Sequence, residues 1–181
     1  MINLDEFRFA LGKYVTGITI VTCNSENGPI GITANSFSSL SLSPPLVLWA
    51  PAKASKRHNT FLEAKKFIVH IASENQIELC KSFSKSANGE SELIWAYNDE
   101  GDAFIENCSA RFECIKYNHF DGGDHSIIVG EVKKFETTDH KPLLYLGGNY
   151  QKLKFMAKIQ KYEHNKILSN FLFLYNQTFY I

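Results

Sequence analysis

Residues 28–48, GPIGITANSFSSLSLSPPLVL, concentrate groups able to grip a polar ligand: Thr33, Asn35, Ser36, Ser38, Ser39, Ser41 and Ser43. Short hydroxyls reach an anion's oxygens without bulk, and an asparagine amide satisfies both the donor and the acceptor edge of a heterocycle. Polar groups fall on both faces of the implied strand, which a strand that only covers a core does not need. The stretch therefore fits either a Ser/Thr-rich edge strand or a bent cradle for a flat polar ring and a phosphate. Farther on, KASKR at 53–57 sets Lys53, Lys56 and Arg57 around Ser55 at an expected helix start, where anions are favoured. The plainer alternative is a solvated, charged helix start. DGGDHS at 121–126 puts an aspartate before His125, and a histidine in such a place can orient a ligand or supply a proton near neutral pH. Otherwise it is a hairpin turn carrying an exposed histidine.

These groups need a scaffold, and the chain spells one out. LDEFRFALGKYV (4–15) has apolar residues at helical spacing with Asp5 and Glu6 in the first turn, closed by Gly12 or by Thr16–Gly17. GITIVTC is a strand, SENGP a turn, GITANSFSSLSL a bent strand or strand pair, and PPLVLWAP a buried strand entered in extended form at Pro44 and Pro45. ASKRHNTFLEAKK and SENQIELCKSF are helices capped by Ser55 and Ser73, and KFIVHIA between them is a strand. Residues 84–107 are loop-like around the apolar island ELIWAY. Two long strands, CSARFECIKYNHF and HSIIVGEVKKFE, flank DGGD, and KPLLYLGGNY closes the pattern with a strand and a glycine turn. Seven or so strands with two or three short helices imply a mainly β barrel or sandwich.

At 181 residues the chain forms one domain of ordinary size. Residues 1–150 are expected to be that domain, with 151–181 an extension that is first lysine-rich and then aromatic. Lysine plus arginine balances aspartate plus glutamate at 19 each, so no global charge draws the chain to nucleic acid or to an anionic membrane. The N-terminus lacks a signal-peptide pattern, and no apolar run approaches the roughly 20 residues of a membrane span. Four cysteines without a CxxC pair favour reduced thiols, hence a cytoplasmic protein. The six histidines do not fall at metal-ligand spacing, and no metal is expected. GxGxxG, GxxxxGK[ST] and GxSxG are missing, so any nucleotide is held without those loops.

Taken in order, FRFALGKYVTGITIVT (7–22), GITANSFSSLSLSPPLVL (31–48), KASKRHNTF (53–61), FIVHIASENQIELCKSFS (67–84), GGDHSIIVGEV (122–132) and PLLYLGGNY (142–150) resemble the flavin reductase-like family of FMN-binding split barrels. That family includes the reductase components of two-component flavin monooxygenases. The resemblance implies a mainly β, Greek-key split β-barrel with short helices, and hydride transfer from the C4 of NADH or NADPH to the N5 of FMN, with FAD as the other candidate flavin. It implies that Thr33, Ala34, Asn35, Ser36, Ser38 and Ser39 touch the flavin, with Trp49 and Ala50 bordering the ring. Lys53, Ala54, Ser55 and Lys56 belong to the phosphate segment, Arg57 more weakly. Phe83 and Ser84 close the pocket from a dimer partner, and catalytic His125 with Tyr150 meets the nicotinamide. A homodimer and a flavin-dependent monooxygenase that receives the reduced flavin are the implied partners. The rivals are an FMN-binding or electron-transfer module that reduces nothing and, on the same fold, an oxidase of a small organic substrate.

Overall fold

The computed structural model of the protein describes residues 2–88 and 95–153. A helix, α1 (Leu4–Leu11), opens the chain and is capped by Asn3, whose Oδ1 accepts from the Asp5 and Glu6 N–H groups at 3.0 and 3.4 Å. It ends at Gly12, the first of the two closures that the sequence offers. The strands β1 (Thr16–Gly17), β2 (Thr19–Ser25), β3 (Gly28–Ala34), β4 (Ser38–Leu42) and β5 (Pro45–Trp49) follow. Then come α2 (His58–Glu63), β6 (Lys66–Ile71), α3 (Ile77–Lys85) and the two-residue strands β7 (Ala96–Tyr97) and β8 (Ala103–Phe104). The long hairpin β9 (Ala110–Gly122) and β10 (His125–Thr137) precedes β11 (Leu143–Leu146) and β12 (Asn149–Lys152).

Seven strands form an all-antiparallel sheet in the order β3-β2-β6-β9-β10-β5-β4. One apolar cluster takes Val21 and Cys23 from β2, Ile30 and Ile32 from β3, Val47 and Trp49 from β5, and Phe67 and Val69 from β6. Strands from near opposite edges thus share one core, which requires the sheet to curl around it. On the other face of β2 and β6, Ile20, Cys80, Phe83 and Leu143 build a second cluster beneath α3. β2 is therefore buried on both faces, which is why its sequence reads as a continuous β-branched run instead of alternating. Its two buried threonines are satisfied locally: Thr19 Oγ1 donates to the Ala34 carbonyl and Thr22 Oγ1 to that of Ala103.

The mainly β class and the short helices agree with the sequence. Several boundaries differ. Ser55 and Ser73 are not caps: α2 starts after Arg57 and α3 after Gln76, neither with a side-chain cap bond. Gln76 Oε1 instead accepts from the Ser73 N–H at 3.0 Å, half of the expected reciprocal pair. Pro44 sits in the tight turn joining β4 to β5, after a cis peptide, so only Pro45 enters the strand in extended form. Part of the segment expected to be loop forms the β7–β8 pair. β12 continues to Lys152, past the boundary placed at residue 150. The rest of the expected extension, 154–181, lies outside the described residues, as do 89–94.

A second, three-stranded sheet, β1-β11-β12, lies beside α1. Its hairpin turns at Gly147 and Gly148, with φ of 57° and 83°, a left-handed pair that glycine adopts without a Cβ penalty. The Gly147 N–H donates to the Gly12 carbonyl at 2.9 Å and fastens the end of α1 to this turn.

Candidate functional site

Most of the hydroxyls between Thr33 and Ser43 are engaged within the chain. Thr33 Oγ1 donates to the Cys80 carbonyl of α3 at 2.6 Å. Ser36 Oγ accepts from the Ala50 N–H at 2.9 Å and donates to the Ala50 carbonyl at 3.1 Å, pinning the bend after β3 to the end of β5. Ser38 Oγ donates to the Ser39 carbonyl, and Ser41 Oγ accepts from the Ser43 N–H in the β4–β5 turn. Ser39 is exposed on β4, and Ala34 packs against the core. The Asn35 amide differs, being exposed and without a side-chain hydrogen bond among the described residues.

Asn35, Ser36, Phe37 and Ser38 line a cleft of about 830 Å³, whose other walls are Arg8, Leu11 and Gly12 of the α1 end, Tyr14–Gly17, Tyr145, and the Gly147–Gly148 turn. Gly17 lines it where an added Cβ would meet nothing within 4 Å. Phe37 stacks on Phe112 at 5.9 Å, and Tyr145 rests edge-on against Tyr150 at 5.6 Å, so two aromatic walls are braced from behind. This volume lies in the range of small-molecule pockets, with apolar walls and a few polar groups. Reading the sequence found the 35–38 wall but missed α1 and the Gly147–Gly148 turn. The signal was present in the sequence: α1 carries apolar residues on more than one side, with Leu4, Phe7, Phe9 and Leu11 in eight positions.

Other expected ligand residues lie elsewhere. Trp49 is 0% exposed and packs against Phe61 and Phe67, because Val47 and Trp49 are the inward positions of β5; its ring borders the core and not an open site. Phe83 is likewise 0% exposed, inside its own chain, with its ring where a Cβ on Gly31 would come within 2.6 Å. Ser84 sits at the α3 end with its hydroxyl on the Lys81 carbonyl. Arg57 is no free cation. Its guanidinium donates to the Gly31, Phe83 and Ser86 carbonyls at 2.9, 2.7 and 3.0 Å and so clamps the α3 C-terminus to β3. Cations are favoured at a helix C-terminus, and here burial lowers the Arg57 pKa.

Lys53 pairs with Asp121, and its N–H donates to the Asp124 carbonyl. Ala54 and Lys56 are exposed, and Ser55 Oγ accepts from the Arg57 N–H at 3.3 Å. His125 opens β10 opposite Ala52, its Nδ1 2.7 Å from Asp124 Oδ1. That bond holds the Asp124 carboxyl below the usual carboxylate range. Tyr150 belongs to the small sheet beside α3, and burial pushes its phenol up to about 12. Among the described residues no group of acidic, histidine or cysteine side chains is arranged to hold a metal ion, and no helix is long and apolar enough to cross a membrane.

The flavin reductase like domain matches residues 11–154, a span that includes every strand from β1 to β12 and every wall of the cleft except the body of α1. The chain belongs to the flavin reductase-like family. An FMN reductase (NADH) from Agrobacterium fabrum is 47% identical over 148 residues, 82% of this chain and 85% of that protein. The reductase component of a flavin-dependent trigonelline monooxygenase from Acinetobacter baylyi is 37% identical over 150 residues; the chain spans 48% of its length. Among solved structures, flavin reductase PheA2 superposes with a TM-score of 0.79 at 31% identity, over 85% of this chain and 100% of that one.

Proposed function

We propose that the chain is an NAD(P)H-dependent flavin reductase that works on FMN in the α1–β3–β11 cleft. The observation carrying this reading is the braced cleft of about 830 Å³ in which the Asn35 amide has no partner among the described residues, in a chain 47% identical to an FMN reductase. The donor set fits a flavin and a nicotinamide. Asn35 offers an amide to a heterocycle's polar edge, Phe37 and Tyr145 offer flat apolar faces, and Gly17 leaves room where a side chain would stand. Bound there, the nicotinamide supplies a hydride and the flavin accepts it.

The protein's share is positioning. Ser36 holds the bend through Ala50 and so aims Asn35, while Thr33 anchors the preceding strand to α3. Ser55 and Lys56, with Lys53 at the edge, remain candidates for a phosphate but lie outside the lining of the cleft; the Nη1 of Arg57 is turned to three carbonyls and holds α3 to β3. His125 is oriented by Asp124 through Nδ1, which leaves Nε2 to meet a ligand, and its role is orientation or proton supply at that atom. Hydride transfer itself requires no side-chain base.

A second copy of the chain covers the apolar surface left by α1 and β4, where Phe7, Phe9, Leu11 and Leu42 are half or more exposed. We also propose a cytoplasmic location and a flavin-dependent monooxygenase as the receiver of reduced flavin, in keeping with the role named for the trigonelline relative. Aerobic NADH consumption with added FMN tests the activity, and a spectrum before and after desalting separates a retained flavin from a flavin substrate. Flavin binding without NADH consumption would sink the reductase reading. Light scattering that gives a monomer at micromolar concentration would sink the dimer.

A further inference from the structure

We propose that Arg8 is the residue through which the cleft takes hold of a nucleotide phosphate, an inference that rests on the flavin reductase reading above. Arg8 is the one charged side chain among the described residues lining the cleft, and no carboxylate lines it. Its guanidinium makes no ion pair or hydrogen bond among the described residues. Three other cations are engaged: Lys53 pairs with Asp121, the Nη1 of Arg57 is turned to three carbonyls, and Lys13 lies over the Phe9 ring, while Lys56 is exposed outside the lining of the cleft. A lone positive charge in a concave wall without counter-charge is where field lines focus and where an anion gains most.

The placement of Arg8 is fixed from two sides. Asn3 caps the start of α1, and at its end the Gly12 N–H donates to the Arg8 carbonyl while the Gly12 carbonyl accepts from Gly147. The helix turn carrying Arg8 is thereby stitched to the Gly147–Gly148 turn, whose left-handed glycines form the facing wall. A guanidinium presents a planar fork of donors that matches two phosphate oxygens at once, a geometry a lysine cannot copy. The phosphate can come from the flavin or from the pyrophosphate of the nicotinamide nucleotide. The chemistry is the same, and the experiment tells them apart.

The full chain, Arg8→Gln and Arg8→Lys are titrated with FMN against riboflavin, and with NADH against dihydronicotinamide riboside, by fluorescence. Circular dichroism confirms the fold, which Arg8 does not support through any side-chain bond. The inference expects Arg8→Gln to weaken at least one phosphate-bearing ligand by about tenfold or more, with its phosphate-free counterpart within about twofold. Loss confined to FMN identifies the flavin phosphate, loss confined to NADH the pyrophosphate, and Arg8→Lys falls between Arg8→Gln and the unaltered chain. Unchanged affinity for both FMN and NADH overturns the inference while leaving the reductase reading intact, and so does an equal loss for the phosphate-free ligands. Failure of the unaltered chain to bind either nucleotide overturns the reductase reading, and this inference with it.

Discussion

The region around β2, β6 and α3 and the cleft beside α1 hold the same kinds of polar residue in opposite conditions. In the first, Thr33, Arg57 and His70 are each bound to backbone carbonyls of other elements. In the second, Asn35 and Arg8 line a cleft without side-chain partners among the described residues. A polar side chain already engaged holds the fold, and an unengaged one in a concavity is available to a ligand. Substitutions should therefore separate cleanly, changing stability in one region and binding in the other.

The strongest challenge to this division is Arg57→Ala. It leaves three carbonyls of β3 and the α3 end without their donor, so unfolding stability should drop by about 3 kcal/mol or more. Denaturant melts measure this. Lost FMN affinity at unchanged stability would return Arg57 to the ligand site and break the comparison.

His70 gives the same test through pH. Its Nε2 accepts from the Ile105 N–H, so the proton sits on Nδ1 and goes to the Ile20 carbonyl; the buried ring must stay neutral. Burial chiefly lowers its pKa from 6.5 to about 4. Below pH 6.5 the unfolded chain takes up a proton that the folded chain refuses until about 4. This contribution to stability is thus full above pH 6.5 and is lost as pH falls to about 4, by about 3 kcal/mol in all. Urea midpoints at pH 7 and 4.5 should show the loss, and His70→Gln should flatten that part of the profile.

Thr33→Val removes one hydroxyl from the Cys80 carbonyl and should cost about 1–2 kcal/mol of stability, with FMN affinity kept. Weakened FMN binding without a stability change would show that Thr33 serves the ligand directly. The smallest effect expected is that of Asn35→Ala, which should weaken FMN by about 0.5–1.5 kcal/mol in a fluorescence titration and leave stability within about 0.5 kcal/mol. A large stability loss there would mean that Asn35 has a structural duty that its free amide hides.

The amino-acid sequence by itself determined the features that depend on neighbours along the chain. The β-branched run of β2, the DGGD turn between β9 and β10 and the Gly–Gly turn after β11 were all legible, and the end of α1 was narrowed to Gly12 or the Thr16–Gly17 step, because strand periodicity and turn chemistry act over a few residues. The order of motifs also carried the family. Only the tertiary structure decided which polar side chains are free. Arg57 and Gly31 stand 26 residues apart, Thr33 and Cys80 47, His70 and Ile20 50, and no local pattern announces such partners. The same holds for the cleft, whose walls come from residues near 8, 36 and 147. Local sequence sets what a side chain can donate or accept, and only the packing of distant elements decides whether that capacity is already used.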